Sequence, residues 1–132
     1  MSVLTVRRVP LSDLHEDPAN CRVHPEKNLD AIKASLLTFA QVEPLVVQKG
    51  TGKVIGGNGR LAAMRLLGWE HCDIVDVEMN DVQAAGLALA LNRTGEMAEW
   101  DDEALSRTLA ALKAESFDVA KLGWDDSELD KI

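Results

Sequence analysis

The chain has 132 residues, of which 46% are hydrophobic and 4% aromatic, a composition that predicts one domain with an aliphatic core. The N-terminus lacks the apolar stretch of a secretory signal, and no run approaches the roughly 20 apolar residues of a membrane span, so we expect a soluble, cytoplasmic protein with no membrane partner. The net charge is −8, and residues 80–132 hold 12 acidic against 5 basic side chains, so a DNA backbone would have to meet the N-terminal two-thirds or a partner chain.

The first half of the chain alternates β-branched runs with one amphipathic segment. Apolar residues at a spacing of three and four predict a helix, and short β-branched runs bounded by glycine or proline predict strands. In chain order we predict an edge strand at residues 3–9, a loop at 17–22, a helix capped by Asn28 and ending at Ala40, and a hairpin of strands 44–48 and 53–56 around a glycine turn at 50–52.

The second half is predicted to be mostly helical. In chain order we predict a helix at 60–67 ended by Gly68, a strand at 73–79, a helix from Asn80 or Asp81 to about Asn92, a helix capped by Asp101, and either a short helix pair or a linker at 117–132. This order predicts a compact α+β domain with helices beside a small mixed sheet. We expect a core at residues 1–95 and an acidic helical extension of it at 96–132.

A glycine-rich turn joins the predicted strand at 53–56 to the next helix. Glycine permits a positive φ and close approach of a ligand, and the free N–H groups of a helix's first turn attract anions. The arginine that opens the helix could add a bidentate contact to phosphate. The turn therefore predicts a phosphate site, with a purely structural turn as the open alternative. Its residues are Gly56, Gly57, Asn58, Gly59 and Arg60.

This turn, with the Leu-Ala-Ala that follows it, resembles the central box of the ParB/sulfiredoxin superfamily. Further boxes of the family match in order: Pro18-x-Asn20-x-Arg22, Glu43-Pro44-Leu45-Val46-Val47, and Leu91-Asn92-Arg93-Thr94 followed by Trp100-Asp101. The last of these is similar to the tail of phage and methyltransferase-associated ParB-like domains. The resemblance spans about residues 4–130 and implies a ParB/sulfiredoxin-like fold.

The resemblance also implies a nucleotide pocket, for CTP, ATP or ADP and with Mg²⁺ as a candidate metal. It adds Arg22 and Asn92 to the glycine turn as binding residues, Asn92 as a candidate metal ligand, and Glu43 as a candidate catalytic carboxylate. Each has a plainer alternative, because Arg22 and Glu43 could be solvated surface side chains and Asn92 a helix C-cap.

Two departures from the family pattern bear on activity. Asn58 stands where sulfiredoxins have their nucleophilic cysteine, so we exclude sulfinic-acid reductase activity. Leu91 stands where ParB partition proteins have the acid that precedes their metal-binding asparagine. An aliphatic side chain neither holds Mg²⁺ nor accepts a proton, so we expect weak or no hydrolysis of nucleoside triphosphates.

The resemblance implies an accessory or switch module in DNA modification, partition or phage DNA metabolism, acting with DNA or with a DNA-binding or DNA-modifying protein. The sequence does not decide between a monomer and a homodimer. The alternatives are an enzyme of the same fold, either a nuclease or a small-molecule kinase using Glu43, and an interaction module with a vestigial pocket. Clustered carboxylates and a basic groove, which a nuclease needs, are not evident in the sequence.

The cysteines and histidines favour neither a disulfide nor a zinc site. Cys21 and Cys72 are far apart and belong to no metal-ligand spacing, so we expect two free thiols. The three histidines show no paired spacing of the kind that zinc sites use.

Overall fold

The computed structural model describes residues 3–132, so residues 1–2 of the predicted core lie outside the described range. Five strands form one mixed sheet: β1 (Val6–Pro10), β2 (His15–Glu16), β3 (Leu45–Gln48), β4 (Lys53–Gly56) and β5 (His71–Val77). The helices are α1 (Glu26–Phe39), α2 (Asn58–Leu66), α3 (Asp81–Glu96), α4 (Asp102–Ala114) and α5 (Asp126–Asp130), with 3-10 turns at Leu11–Asp13 and Val119–Leu122. The predicted α+β class is confirmed.

The strand order across the sheet is β1-β5-β3-β4-β2. The hairpin of β3 and β4 is antiparallel, as predicted, whereas β3 and β5 run parallel. The predicted first strand does form one edge, but it runs to Pro10, which pairs with His71, and begins at Val6. The other edge, β2, was missed because two residues are too few to show an alternating pattern.

The core is aliphatic, as the composition predicts, and lies between the sheet and the pair α1 and α2. Its largest fully buried side chains come from β3, β4, β5 and α2: Leu45, Val47, Val54, Ile74, Leu61 and Met64. Burying an aliphatic side chain of this size stabilises the fold by about 1.5–3 kcal/mol. The joint between β4 and α2 is therefore held rigidly on both sides.

Helix ends differ from the prediction at both α1 and α3. α1 begins at Glu26 directly after Pro25, and the predicted cap Asn28 is inside the helix, so that prediction is wrong. Asn28 instead bonds to a side chain ahead of the helix, through Oδ1 at 2.7 Å from His24 Nδ1. α3 is capped by Asn80 and continues past Asn92, so the C-cap alternative for Asn92 is also wrong.

The segment after α4 is a short helix pair that docks on α1, which rules out the linker alternative. Lys27 Nζ of α1 lies 2.8 Å from Asp125 and 3.1 Å from Glu128. Phe39, at the end of α1, is 47% exposed and stacks on Phe117 with ring centroids 6.3 Å apart. The predicted boundary at residues 95 and 96 falls at the end of α3 and stays a prediction.

Within residues 3–132, every helix is too short or too polar to cross a lipid bilayer.

Candidate functional site

A cavity of about 350 Å³ opens where the β4–α2 joint meets the entry to β3, the loop before α1, and α3. Five separate parts of the chain contribute to its wall, because Ile32 of α1 also lines it. The residues that the sequence analysis singled out all line it: Arg22, Glu43, Gly56, Gly57, Asn58, Gly59, Arg60 and Asn92. Tertiary structure therefore brings the predicted set together at one place.

The glycine turn exposes an uncapped helix end to this cavity. α2 begins at Asn58 rather than at the predicted Arg60, because Gly57 adopts the left-handed φ of 101° that turns the chain sharply. A Cβ at Gly57 would also lie 2.5 Å from Leu45 Cδ2, so the position needs glycine for space as well. The first helical bond is from Leu61 N to Gly57 O at 2.8 Å, and no side chain among the described residues caps the helix. The N–H groups of residues 58–60 precede that bond and suit an anion.

The side chain of Asn58 is part of the scaffold. It is 8% exposed, its Nδ2 donates to Val54 O at 3.0 Å, and its Oδ1 accepts from Asp17 N at 3.3 Å. These bonds tie β4 to the loop after β2. Asn58 can therefore offer a ligand its backbone N–H, whereas both ends of its amide are occupied.

Two arginines border the cavity, and each has a protein partner. Arg60 donates from Nη1 to the carbonyl oxygen of Glu43 at 2.6 Å. Burial lowers the pKa of Arg60, and the nearby Glu43 carboxylate opposes that effect. Arginine nonetheless stays cationic in proteins. Arg22 forms an ion pair with Glu96 near the end of α3, which links the loop before α1 to that helix.

Glu43 and Asn92 are the oxygen ligands that a metal could find here. Glu43 is the one carboxylate among the described residues that line the cavity. Asn92 donates from Nδ2 to Ala88 O at 3.1 Å, which leaves its Oδ1 for a ligand. Mg²⁺ is commonly held by one or two such groups together with substrate phosphates, so this donor set fits a nucleotide-bound Mg²⁺. No cluster of three or more His, Cys, Asp or Glu side chains suited to a metal occurs within residues 3–132.

Leu91, the residue that replaces the family's acid, also lines the cavity. A Cβ at Gly56 would lie 2.9 Å from Leu91 Cδ1, so this leucine packs directly over the glycine turn. The wall is therefore apolar at the point where the resemblance implies a carboxylate in partition proteins.

Two further polar residues of the wall, Asn20 and His24, were not predicted as site residues, although Asn20 belongs to one of the family boxes. Asn20 lies two residues before Arg22 and His24 two residues after it, in the loop before α1. Asn20 Oδ1 accepts from Arg22 N at 3.1 Å, which fixes the local course of the loop. The Arg22-x-His24 spacing was the signal that could have identified His24.

The two cysteines are free, as predicted, and lie in different environments. Cys72 of β5 is buried, and desolvation by burial, with a smaller effect of Asp73, raises the pKa of its thiol. Cys21 is exposed on the loop before α1. Neither thiol lines the cavity.

Comparisons with known proteins relate the sequence to the ParB N-terminal domain. A sequence model of the ParB N-terminal domain matches residues 1–93. The nucleoid occlusion protein of Halalkalibacterium halodurans is 29% identical over 90 residues, covering 66% of this chain and 32% of that protein. The nucleoid occlusion protein of Geobacillus sp. is 26% identical over 91 residues, with the same coverage of both chains. The chain thus spans about a third of the length of these curated relatives.

Solved ParB structures share the fold. The C-terminally truncated chromosome-partitioning protein ParB of Caulobacter crescentus, complexed with CTP-γ-S, superposes with a TM-score of 0.75 at 20% identity, covering 95% of this chain and 74% of that one. The same protein complexed to the centromeric parS site gives a TM-score of 0.56 at 19% identity, covering 94% and 68%. A pNOB8-like ParB N-domain gives 0.59 at 21% identity, covering 86% and 49%.

Proposed function

Because the chain belongs to the ParB N-terminal domain family, we propose that it binds a nucleotide by its phosphates at the turn formed by residues 56–60. The observation that carries this proposal is the uncapped N-terminus of α2, which opens into a cavity bordered by Arg22 and Arg60. Backbone N–H groups, the helix dipole and two guanidinium groups together favour a polyanion. The cavity of about 350 Å³ is within the range of small-molecule sites.

CTP is the first nucleotide to test, since the partition protein of C. crescentus was solved with CTP-γ-S. ATP and ADP are the alternatives. Mg²⁺ would be held through the phosphates together with Asn92 Oδ1 and the Glu43 carboxylate.

We propose that the bound domain serves as an accessory or switch module in DNA partition, DNA modification or phage DNA metabolism, within the cytoplasm. The named relatives are nucleoid occlusion and partition proteins, which favours a role beside DNA. The tail from Leu91 to Trp100 favours the phage and methyltransferase-associated branch within that range. The 3-10 turn at Val119–Leu122 and the start of α5 pack on α1, and residues 80–132 are strongly acidic, so DNA or a DNA-bound partner would approach the N-terminal two-thirds instead.

One observation favours an enzyme as the second candidate. Glu43 lies in the wall of the same cavity as the proposed phosphate site, where a carboxylate could accept a proton from an acceptor hydroxyl. A small-molecule kinase would need that arrangement. The nuclease alternative lacks such support, because no carboxylate cluster suited to metals is present within residues 3–132.

The test is isothermal titration of the chain with CTP, ATP and ADP, each with and without Mg²⁺, followed by a phosphate-release assay. Binding without turnover supports the switch module. Turnover that requires an added acceptor supports the kinase. If none of the three nucleotides binds, the glycine turn is structural, the pocket is vestigial, and the proposed function is wrong.

A further inference from the structure

His24 reaches the proposed phosphate site from the loop before α1. Its ring lies directly against Gly59: a Cβ added there would fall 2.5 Å from Cε1, 2.8 Å from Nδ1 and 2.9 Å from Nε2. The imidazole therefore covers the first turn of α2, beside the N–H groups that precede the first helical bond. His24 is half-buried and lines the same cavity as Arg22 and Arg60.

The hydrogen bond to Asn28 fixes which ring nitrogen is available. Nδ1 lies 2.7 Å from Asn28 Oδ1, and an amide oxygen only accepts, so Nδ1 carries the hydrogen. Nε2 makes no hydrogen bond to any of residues 3–132. In the neutral ring Nε2 presents a lone pair, which repels a phosphate oxygen. In the protonated ring Nε2 donates, and its bond to a phosphate would be charge-assisted.

His24 is the one histidine among the described residues that line the cavity. Arg22 of the same loop is paired with Glu96, and Arg60 of α2 donates to Glu43 O. Glu43, ahead of β3, is the carboxylate of the wall and Asn92 of α3 is neutral, while Asn28 of α1 bonds to the His24 ring from outside the cavity lining. Histidine is the side chain that ordinarily gains or loses its charge between about pH 5 and pH 8.

We propose that His24 is a phosphate-binding residue of this site and that nucleotide binding takes up a proton there. The protonated imidazole donates from Nε2 to a phosphate oxygen while Nδ1 keeps its bond to Asn28, and the proton that completes the imidazolium comes from solvent. This inference rests on the proposed nucleotide-binding function and adds to it a pH-dependent ligand that Arg22 and Arg60 do not supply.

The test compares the wild-type chain with His24→Gln and with His71→Gln, which changes an exposed histidine of β5 outside the cavity. CTP and inorganic tripolyphosphate are titrated at about pH 6 and about pH 8. Calorimetry in two buffers of different ionisation enthalpy measures the protons taken up. Thermal unfolding of each variant verifies that it is folded.

We expect His24→Gln to weaken both ligands about 10-fold at pH 6 and little at pH 8, and to abolish the proton uptake, because it removes one charge-assisted hydrogen bond. His71→Gln should behave as wild type. If wild type binds CTP but His24→Gln binds equally well at both pH values, the role of His24 is wrong while the proposed function stands. A loss of CTP affinity without loss of tripolyphosphate affinity also overturns the proposal, because His24 would then contact the base or ribose. If wild type binds neither ligand, both the proposed function and this inference are wrong.

Discussion

The imidazole of His24 occupies the space in which a side chain at position 59 would begin, with Cε1 2.5 Å from the ideal Cβ of Gly59. Gly59 lies in the first turn of α2, and no left-handed φ requires a glycine there. Space for the histidine ring is therefore the structural reason for this glycine.

That relationship predicts an effect of Gly59→Ala that depends on His24. In the wild-type background the added methyl should displace the ring, break its bond to Asn28 and weaken CTP binding as His24→Ala does. In the His24→Ala background the same change should be neutral or stabilise the fold by up to about 1 kcal/mol, since alanine is the better helix residue. Urea unfolding and CTP titration of the two single variants and the double variant measure both effects. Strictly additive effects would show that the ring and Gly59 do not interact.

Arg60→Ala should weaken nucleotide binding by about 1.5–3 kcal/mol, the cost of losing a hydrogen bond to a charged group. The variant also loses the bond to Glu43 O, so its unfolding free energy must be measured alongside. Arg107→Ala is the matched control, because Arg107 lies on α4 in an exposed pair with Glu103. Unchanged affinity in a folded Arg60→Ala would remove Arg60 from the site.

We expect this chain to bind a nucleotide without hydrolysing it at an appreciable rate. With Leu91 in the cavity wall in place of the family's acid, we expect wild type to release phosphate from CTP very slowly or not at all. A phosphate-release assay on wild type, Leu91→Glu and Glu43→Gln measures this. A gain of activity in Leu91→Glu alone identifies a nucleotide site that lacks its acid. Brisk wild-type turnover that Glu43→Gln abolishes would instead make Glu43 catalytic.

The two thiols should react at very different rates with a disulfide reagent at neutral pH. Burial raises the pKa of Cys72, so little of it is thiolate, and the folded chain also shields it. Cys21 is exposed and should react at once. We expect one fast thiol in the native chain and two in urea, with the fast one lost in Cys21→Ser. Two fast thiols in the native chain would contradict the burial of β5.

At each position where sequence and structure disagree, a contact with another part of the chain decides the local structure. β2 exists because His15–Glu16 pairs with β4, and two residues carry no periodicity of their own. Asn28 is a typical N-cap residue, but α1 begins earlier, directly after Pro25, and the side-chain amide of Asn28 is hydrogen-bonded to His24. Asn58, predicted to bind a ligand, uses its side chain to join β4 to the loop after β2.

The sequence by itself determined most of the helices and strands, β2 excepted, and the glycine turn that joins β4 to α2. Periodicity and glycine spacing are local properties, and they predicted the hairpin of β3 and β4 and the strand-to-helix joint, while they left residues 117–132 as either a short helix pair or a linker. Tertiary structure alone decided that Arg22, Glu43 and Asn92 line one cavity with Gly59, and that His24 covers that glycine. These relations depend on how the loop before α1 and the helix α3 pack against the sheet. No local pattern encodes the distance between residues so far apart in the chain.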